Sequence, residues 1–187
     1  MRISKLQRLG SLLFVTTFAI VAWGQASTPA AQRKPSTATR PVVVMTGQSV
    51  ADLERRLHPD NKAEEIYGGA GVELRVAVQH EKDKAAASAE VHDASDDIYY
   101  VLEGTATLTL GGTLDSPKEV DPGEWRGPKI IDGKEVKVAK GDLIVVPRGT
   151  PHMRSTVGQD FSMILIKIYT GGMPAPKPAP APAPAKP

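Results

Sequence analysis

Histidines and carboxylates are the residues whose types and spacing could do chemistry in this sequence. The chain of 187 residues contains four histidines and no cysteine, which excludes disulfides, thiolate metal sites and a cysteine nucleophile. Glu90 and His92 lie two positions apart, so on a strand their side chains would share one face. His58 and His80 have no such partner pattern, and we expect them at the surface or at a helix end. The sequence contains no phosphate-binding glycine loop and no Gly-x-Ser-x-Gly motif.

Segments of alternating polarity indicate that these side chains are positioned by strands. Apolar and polar residues alternate from Val72 to Gln79, which is typical of a half-buried strand. Asp132-Gly133, between two short apolar segments, predicts a hairpin. Further strands are predicted over residues 98–102, 105–110, 143–146 and 161–168. Short strands separated by glycine turns favour an all-β sandwich or barrel.

One short helix is predicted before the strands. Ser49-x-x-Asp52 resembles a capping box and marks its start. Val50, Leu53 and Leu57 then recur on one helical face. The helix should end at His58, because a residue that precedes proline is disfavoured in the helical conformation.

Two segments resemble the sequence motifs of the cupin superfamily. Residues 141–152 match the second motif, G-x(5)-P-x-G-x(2)-H, at every fixed position. Residues 90–104 match the first motif, H-x-H-x(3,4)-E-x(6)-G, only in part. The resemblance implies an all-β fold, the double-stranded β-helix or jelly-roll barrel of the cupins, with a pocket at its mouth.

The resemblance also implies a set of metal ligands. The family's three histidines and one glutamate fall here on Glu90, His92, His152 and Asp97. Two imidazoles and one or two carboxylates suit manganese, iron, zinc or nickel. Asp97 is one methylene shorter than the family's glutamate, and Asp93 or Asp96 is an alternative ligand if the register differs. The competing hypothesis is a barrel that keeps the fold and has lost the metal, with these residues lining a wet pocket.

Other residues near the motifs could shape a ligand pocket. Tyr99 lies two residues after Asp97, and Arg154 lies two residues after His152, so both are predicted ligand-binding residues. Each could equally be an ordinary strand residue. The segment 123–127 lies in an insertion rich in proline and glycine, where Trp125 could close the pocket or pack the loop on the barrel.

The two ends of the chain differ from the middle. Residues 1–26 have a basic start, an apolar stretch and small residues before Ser27, which predicts a secretory signal peptide; an uncleaved anchor is the alternative. Residues 27–41 are predicted to be a disordered linker. The tail, 171–187, alternates proline with alanine and is predicted to be extended and disordered. The barrel is therefore assigned to residues 42–170, and we expect an exported protein, periplasmic or extracellular.

Charge and fold together limit the partners and leave several functions open. Removal of the signal peptide would leave 20 basic and 21 acidic residues, which gives no support for binding nucleic acid. No integral membrane span is expected after that removal. The first hypothesis is an exported barrel that binds a small polar molecule, through a divalent metal or without one. The alternatives are a metal-dependent enzyme of oxygenase or isomerase type, acting on a sugar or organic acid, and a structural scaffold module.

No catalytic residue is assigned from the sequence, since fold alone does not decide activity. The resemblance implies that such barrels often form homodimers through edge strands, which would cover exposed backbone groups.

Overall fold

The computed structural model of the protein describes residues 35–58, 60–85 and 88–171. The predicted signal peptide, residues 27–34 of the linker and residues 172–187 of the tail lie outside the described residues. The chain divides into two units after Arg40, and the fold below is that of the second unit. Among the described residues, no helix is both long enough and apolar enough to span a membrane.

The described part of the second unit has one α-helix and twelve strands. Helix α1 spans Gly47–Leu57. The strands are β1 (Lys62–Tyr67), β2 (Leu74–Lys82), β3 (Ala89–His92), β4 (Ser95–Leu110), β5 (Thr113–Leu114), β6 (Lys118–Asp121), β7 (Glu124–Gly127), β8 (Ile130–Ile131), β9 (Lys134–Ala139), β10 (Leu143–Val146), β11 (His152–Ser155) and β12 (Asp160–Tyr169).

Two antiparallel sheets enclose one core. The first sheet contains β1, β2, β12, β10 and the first part of β4. The second contains β6, β7, β3, β11, β9 and the second part of β4. Inward side chains from both sheets, including Val101, Leu108 and Met163, form the core. The all-β jelly-roll barrel that the cupin motifs predict is thereby confirmed.

Strand β2 is buried on both faces, which the alternation of its sequence did not indicate. Ala77 and Val78 are both fully buried, because one face lies on the barrel core and the other lies under α1. Val78 packs there with Leu53 and Leu57, two of the residues predicted to share a helical face. His80 lies on the same strand and is also fully buried, so the prediction of a surface position for it is wrong.

Helix α1 begins slightly earlier than predicted. Its N-cap is Thr46, whose hydroxyl accepts a hydrogen bond from the backbone N–H of Ser49 at 3.1 Å. The helix is therefore capped by the threonine rather than by the Ser49-x-x-Asp52 pattern. Its last helical residue is Leu57 and its C-cap is His58, in agreement with the predicted end.

The hairpin predicted at Asp132-Gly133 does not form. Strand β8 pairs with β5, and β9 pairs with β4 instead of with β8. Pairing with β4 places Val138 in the core, where 4% of its surface is exposed. The burial available beside β4 outweighs the local turn preference.

Strand β4 passes from one sheet to the other at Gly104. Its residues up to Gly104 pair with β12, and those from Thr105 pair with β9. Gly104 has a φ of +75°, which other residues rarely adopt. A Cβ at this position would lie 1.7 Å from the carbonyl oxygen of Asp160. Both observations require glycine where the strand changes sheets.

Replacement of Gly104 is therefore expected to be costly. Gly104→Ala should lower the free energy of unfolding by about 3 kcal/mol or more, since both the left-handed backbone and the clash with Asp160 oppose it. Gly111 is a matched control, because its φ is +73° and no atom lies within 4 Å of a Cβ built there. Gly111→Ala should cost only about 1 kcal/mol. Urea denaturation measures the free energy of unfolding of both variants. Equal losses in the two variants would contradict the role of the close contact between Gly104 and the Asp160 carbonyl.

Candidate metal centre

Pairing in the second sheet brings Glu90, His92 and His152 together. Strand β3 lies between β11 and β7, with His152 opposite Glu90 on one side. Since alternate residues of a strand share a face, Glu90 and His92 both project toward the barrel interior. His92 and His152 are each only 4% exposed.

The three side chains converge on one point. One ligand atom from each of Glu90, His92 and His152 lies within 4.8 Å of the other two. Glu90 Oε1 is 3.3 Å from His152 Nε2. The two imidazole rings meet edge to face, with their centroids 5.0 Å apart. This spacing is compatible with one cation held between the three groups.

The Nδ1 atom of each imidazole, here called the outer nitrogen, is fixed by a hydrogen bond. The Nε2 atom is the inner nitrogen. His92 Nδ1 lies 2.6 Å from Glu124 Oε2, and His152 Nδ1 lies 2.9 Å from the carbonyl oxygen of Thr150. A carbonyl only accepts, so His152 Nδ1 carries a proton, and in the neutral imidazole Nε2 is the nitrogen with the free lone pair. This arrangement, with the second ring nitrogen oriented by an oxygen, is the one found for metal-binding histidines.

The inner nitrogens are left without partners. His92 Nε2 and His152 Nε2 are both buried, and neither has a hydrogen-bond partner among the described residues. A buried polar atom without a partner costs about 1–3 kcal/mol. Two such atoms directed at one point, beside a carboxylate, fit a divalent metal ion. The residues present therefore suit the metal that the resemblance implies.

Asp97 lies at the edge of this centre. Its Oδ2 is 3.5 Å from His92 Nε2 and 4.0 Å from His152 Nε2. Its Oδ1 is 2.9 Å from Lys167 Nζ, and Tyr99 donates a hydrogen bond to Oδ2 at 3.2 Å. Asp97 thus reaches the two histidines, while part of its charge is neutralised by Lys167.

Burial and neighbouring charges shift the pKa values of the centre in opposite directions. Burial acts to lower the pKa of His92, but the nearby carboxylates of Asp97 and Glu124 outweigh it and raise the pKa to about 9. Burial acts to raise the pKa of Glu90, and the imidazole of His152 reverses this and holds that pKa well below its usual range. The pKa of Asp97 is also lowered, because His92 and Lys167 outweigh its burial.

Three residues of the site were not predicted from the sequence. Glu124 and Arg126 lie on β7, opposite His92 and Glu90 respectively, and Arg126 forms an ion pair with Glu90. The sequence placed these two residues in a loop, although their spacing of two, next to Trp125, is the signal of a strand. Lys167 comes from β12, far along the chain, and no local pattern connects it with Asp97.

The alternatives left open by the sequence occupy other positions. Asp96 accepts hydrogen bonds from Arg148 at 3.0 and 2.7 Å. Asp93 accepts a hydrogen bond at 2.7 Å from Trp125 Nε1. Neither aspartate belongs to the group of ligand atoms formed by Glu90 and the two histidines.

Tyr99 and Arg154, the predicted ligand-binding residues, both line the interior. Arg154 donates two hydrogen bonds of 2.8 Å to Glu81, from Nε and from Nη2. Its guanidinium carbon also lies 5.3 Å from the centroid of the Tyr99 ring. The guanidinium of Arg154 is therefore already paired, and ligand binding by either residue stays a prediction.

A polar cavity opens beside the metal centre. It has a volume of about 440 Å³, within the range of small-molecule sites. Four basic and four acidic side chains line it: Lys84, Arg126, Arg154 and Lys167, and Glu90, Asp97, Asp121 and Glu124. A smaller cavity of about 190 Å³ adjoins it through Glu90, Tyr99 and Arg154.

Comparison with known proteins gives distant similarities. No protein-family model matches the chain. An uncharacterized protein of Methanocaldococcus jannaschii, MJ1618, is 28% identical over 119 residues, which cover 64% of this chain and 70% of that protein.

The solved structures to which the chain is similar include a cupin superfamily protein. A protein from Bacillus halodurans has a TM-score of 0.48 and 18% identity, covering 74% of this chain and 88% of its own. A cupin superfamily protein of Desulfitobacterium hafniense has a TM-score of 0.44 and 16% identity, covering 75% and 100%. KdgF from Halomonas sp. has a TM-score of 0.43 and 17% identity, covering 61% and 84%.

The pairing of Glu81 with Arg154 predicts a pH-dependent stability. Burial acts to raise the pKa of Glu81, but the hydrogen bonds from Arg154 outweigh it and lower the pKa from 4.5 to about 2. The stabilisation from this pair is complete above the pKa of the unfolded chain and is lost as the pH falls through about 2. Glu81→Gln should lower the free energy of unfolding by about 3 kcal/mol at pH 7, because Arg154 would keep a buried charge without a partner.

Urea denaturation at pH 7, 5 and 3 measures this effect. The difference in the free energy of unfolding between Glu81→Gln and the unaltered protein should become smaller toward pH 3. Asp96→Asn is the control, because Asp96 also binds an arginine through two oxygens, but its side chain and that of Arg148 are 29% and 35% exposed. That variant should lose about 1 kcal/mol or less. A difference for Glu81→Gln that is independent of pH would contradict the assignment.

Proposed function

We propose that this cupin-type barrel holds one divalent transition metal ion on Glu90, His92 and His152 and binds a small organic acid beside it. The observation that carries the proposal is the pair of buried imidazole Nε2 atoms that face one point without hydrogen-bond partners. Glu124 and the Thr150 carbonyl support it, since they hold the rings in the tautomer and orientation that a metal requires.

The donor set limits the choice of metal. Two imidazoles with carboxylate oxygens suit manganese, iron, zinc or nickel, and disfavour soft ions that prefer sulfur. Three protein ligands would leave coordination positions for oxygen atoms of a bound molecule. When bound, the ion would supply a positive charge that polarises such an oxygen.

Charge balance favours an anionic ligand. With Glu81, which pairs with Arg154, the cavity has five acidic and four basic side chains, so a dication would leave the site with one excess positive charge. Arg126, beside Glu90, is 35% exposed and lies where an entering carboxylate could meet its guanidinium. Lys84, which pairs with Glu81 at 2.7 Å, lines the same cavity with its side chain 39% exposed. A molecule with a carboxylate and a neighbouring hydroxyl would use both the metal and these cations.

The proposal extends to the location of the protein. The apolar N-terminal segment and the small residues before Ser27 support export, so that the barrel acts in the periplasm or outside the cell. The homodimer and the scaffold role of the proline-rich tail stay predictions from the sequence.

Loss of a ligand should abolish metal binding in the barrel. Glu90→Gln and His152→Ala are each expected to remove one equivalent of bound metal, with affinity reduced at least about 100-fold. Calorimetric titration with Mn²⁺, Fe²⁺, Zn²⁺ and Ni²⁺, followed by elemental analysis, measures it. Glu135→Gln removes an exposed carboxylate from β9 and should leave binding unchanged.

A variant that should raise the metal affinity provides a second test. Lys167→Met removes the ammonium 2.9 Å from Asp97 Oδ1. With that carboxylate uncompensated, metal affinity should rise by about 10-fold. Failure of the unaltered protein to bind any of the four metals, or unchanged binding by Glu90→Gln and His152→Ala, would contradict the proposal.

The organic acid should bind only when the metal is present. A panel of hydroxy acids, sugars and phenols is screened by thermal shift, with and without the metal. We expect a rise in Tm with hydroxy acids in the presence of metal, and none with Glu90→Gln. A shift produced by sugars alone would contradict the ligand class. Consumption of the acid, followed by NMR, would instead support the alternative of a metal-dependent enzyme.

A further inference from the structure

A second cluster of metal-ligating side chains lies outside the barrel, between α1 and the first sheet. Glu54 and His58 come from the end of α1 and its C-cap, one helical turn apart, and Glu103 comes from β4. One ligand atom from each of these three residues lies within 4.8 Å of the other two. The cluster combines an imidazole with two carboxylates, on elements that meet only in the folded chain.

A row of paired residues in the first sheet forms the base of this cluster. Ser162 on β12 pairs with His80 on one side and with Glu103 on the other. The His58 ring stacks on the His80 ring, with centroids 3.8 Å apart. His58 Nε2 lies 3.9 Å from Glu103 Oε2, within ion-pair range but beyond a hydrogen bond.

Buried atoms without partners point to a missing ligand. His80 is fully buried, and its Nδ1 lies 3.0 Å from Ser162 Oγ in the sheet. The other ring nitrogen, Nε2, has no hydrogen-bond partner among the described residues. Glu54 Oε1 is also buried without such a partner. Orphaned atoms of this kind call for an explanation such as a bound ion.

A divalent cation would satisfy these three groups together. Two carboxylates within a few ångströms repel each other, and a single imidazole that is too far away for a hydrogen bond leaves that repulsion in place. A dication would balance the two negative charges and accept the free lone pairs. Nitrogen and oxygen donors together suit zinc and its neighbours in the first transition series.

We propose that Glu54, His58 and Glu103, beside the buried His80 ring on which His58 stacks, form a second divalent metal site of the zinc class. The site joins the last turn of α1 to the first sheet, on the face opposite the barrel cavity. Leu53 and Leu57 already bind this helix to Val78 through apolar packing. The metal adds a link at the helix end, so its role is structural.

Metal stoichiometry with matched variants tests this site in the full chain. We expect Zn²⁺ titration to show two bound equivalents, one of which is lost in Glu103→Gln and in Glu54→Gln, with affinity reduced at least about 100-fold. The Glu103 side chain is 58% exposed, so its replacement should not prevent folding. Asp52→Asn, which alters an exposed carboxylate of the same helix, is the control and should keep both equivalents.

Comparison with His152→Ala separates the two sites. That variant should lose the barrel equivalent and keep the equivalent bound by Glu103. Hydrogen exchange gives a second readout, since Zn²⁺ should slow exchange of the α1 amides by about 10-fold in the unaltered protein and not in Glu103→Gln. Zinc binding that is insensitive to both Glu54→Gln and Glu103→Gln, or no change in α1 exchange with Zn²⁺, would overturn the proposal.

Discussion

The passage of β4 through both sheets is the constraint on which the barrel depends. The strand has 16 residues and pairs with β12 and β10 in one sheet and with β9 and β11 in the other. The close approach of the Asp160 carbonyl at Gly104 leaves no room for a side chain at the change of sheets. Before that point the strand presents Asp97 and Tyr99 to the interior, and after it the strand lies beside His152. The backbone conformation at Gly104 thus places residues of both sheets around one pocket.

Electrostatics inside the barrel are arranged in pairs. Glu81 neutralises Arg154, Lys167 faces Asp97, and Arg126 faces Glu90. Each pair offsets the cost of placing a charge in a medium of low polarity. The Nε2 atoms of His92 and His152 have no hydrogen-bond partner among the described residues. These atoms support the proposal that the barrel holds a metal ion.

The two faces of the first sheet contact different parts of the molecule. The inner face contributes Asp97 and Lys167 to the barrel centre, whereas the outer face carries Val78, His80 and the helix. Because β2 is covered on both sides, polar residues at its end are drawn into burial as well. His80 is fully buried for this reason, although its sequence context is that of an ordinary surface residue.

The sequence by itself determined the class of fold and the central residues of the pocket. Alternation of polarity depends on local chain geometry, so an all-β fold was predictable. The resemblance to the cupin motifs implied the barrel and the positions of Glu90, His92 and His152. Only the tertiary structure decided the partners of these residues. Glu124 and Arg126 meet His92 and Glu90 through strand pairing between distant segments, which no local pattern records. The same reason explains the hairpin that does not form, because the burial offered by β4 depends on residues far away in the chain.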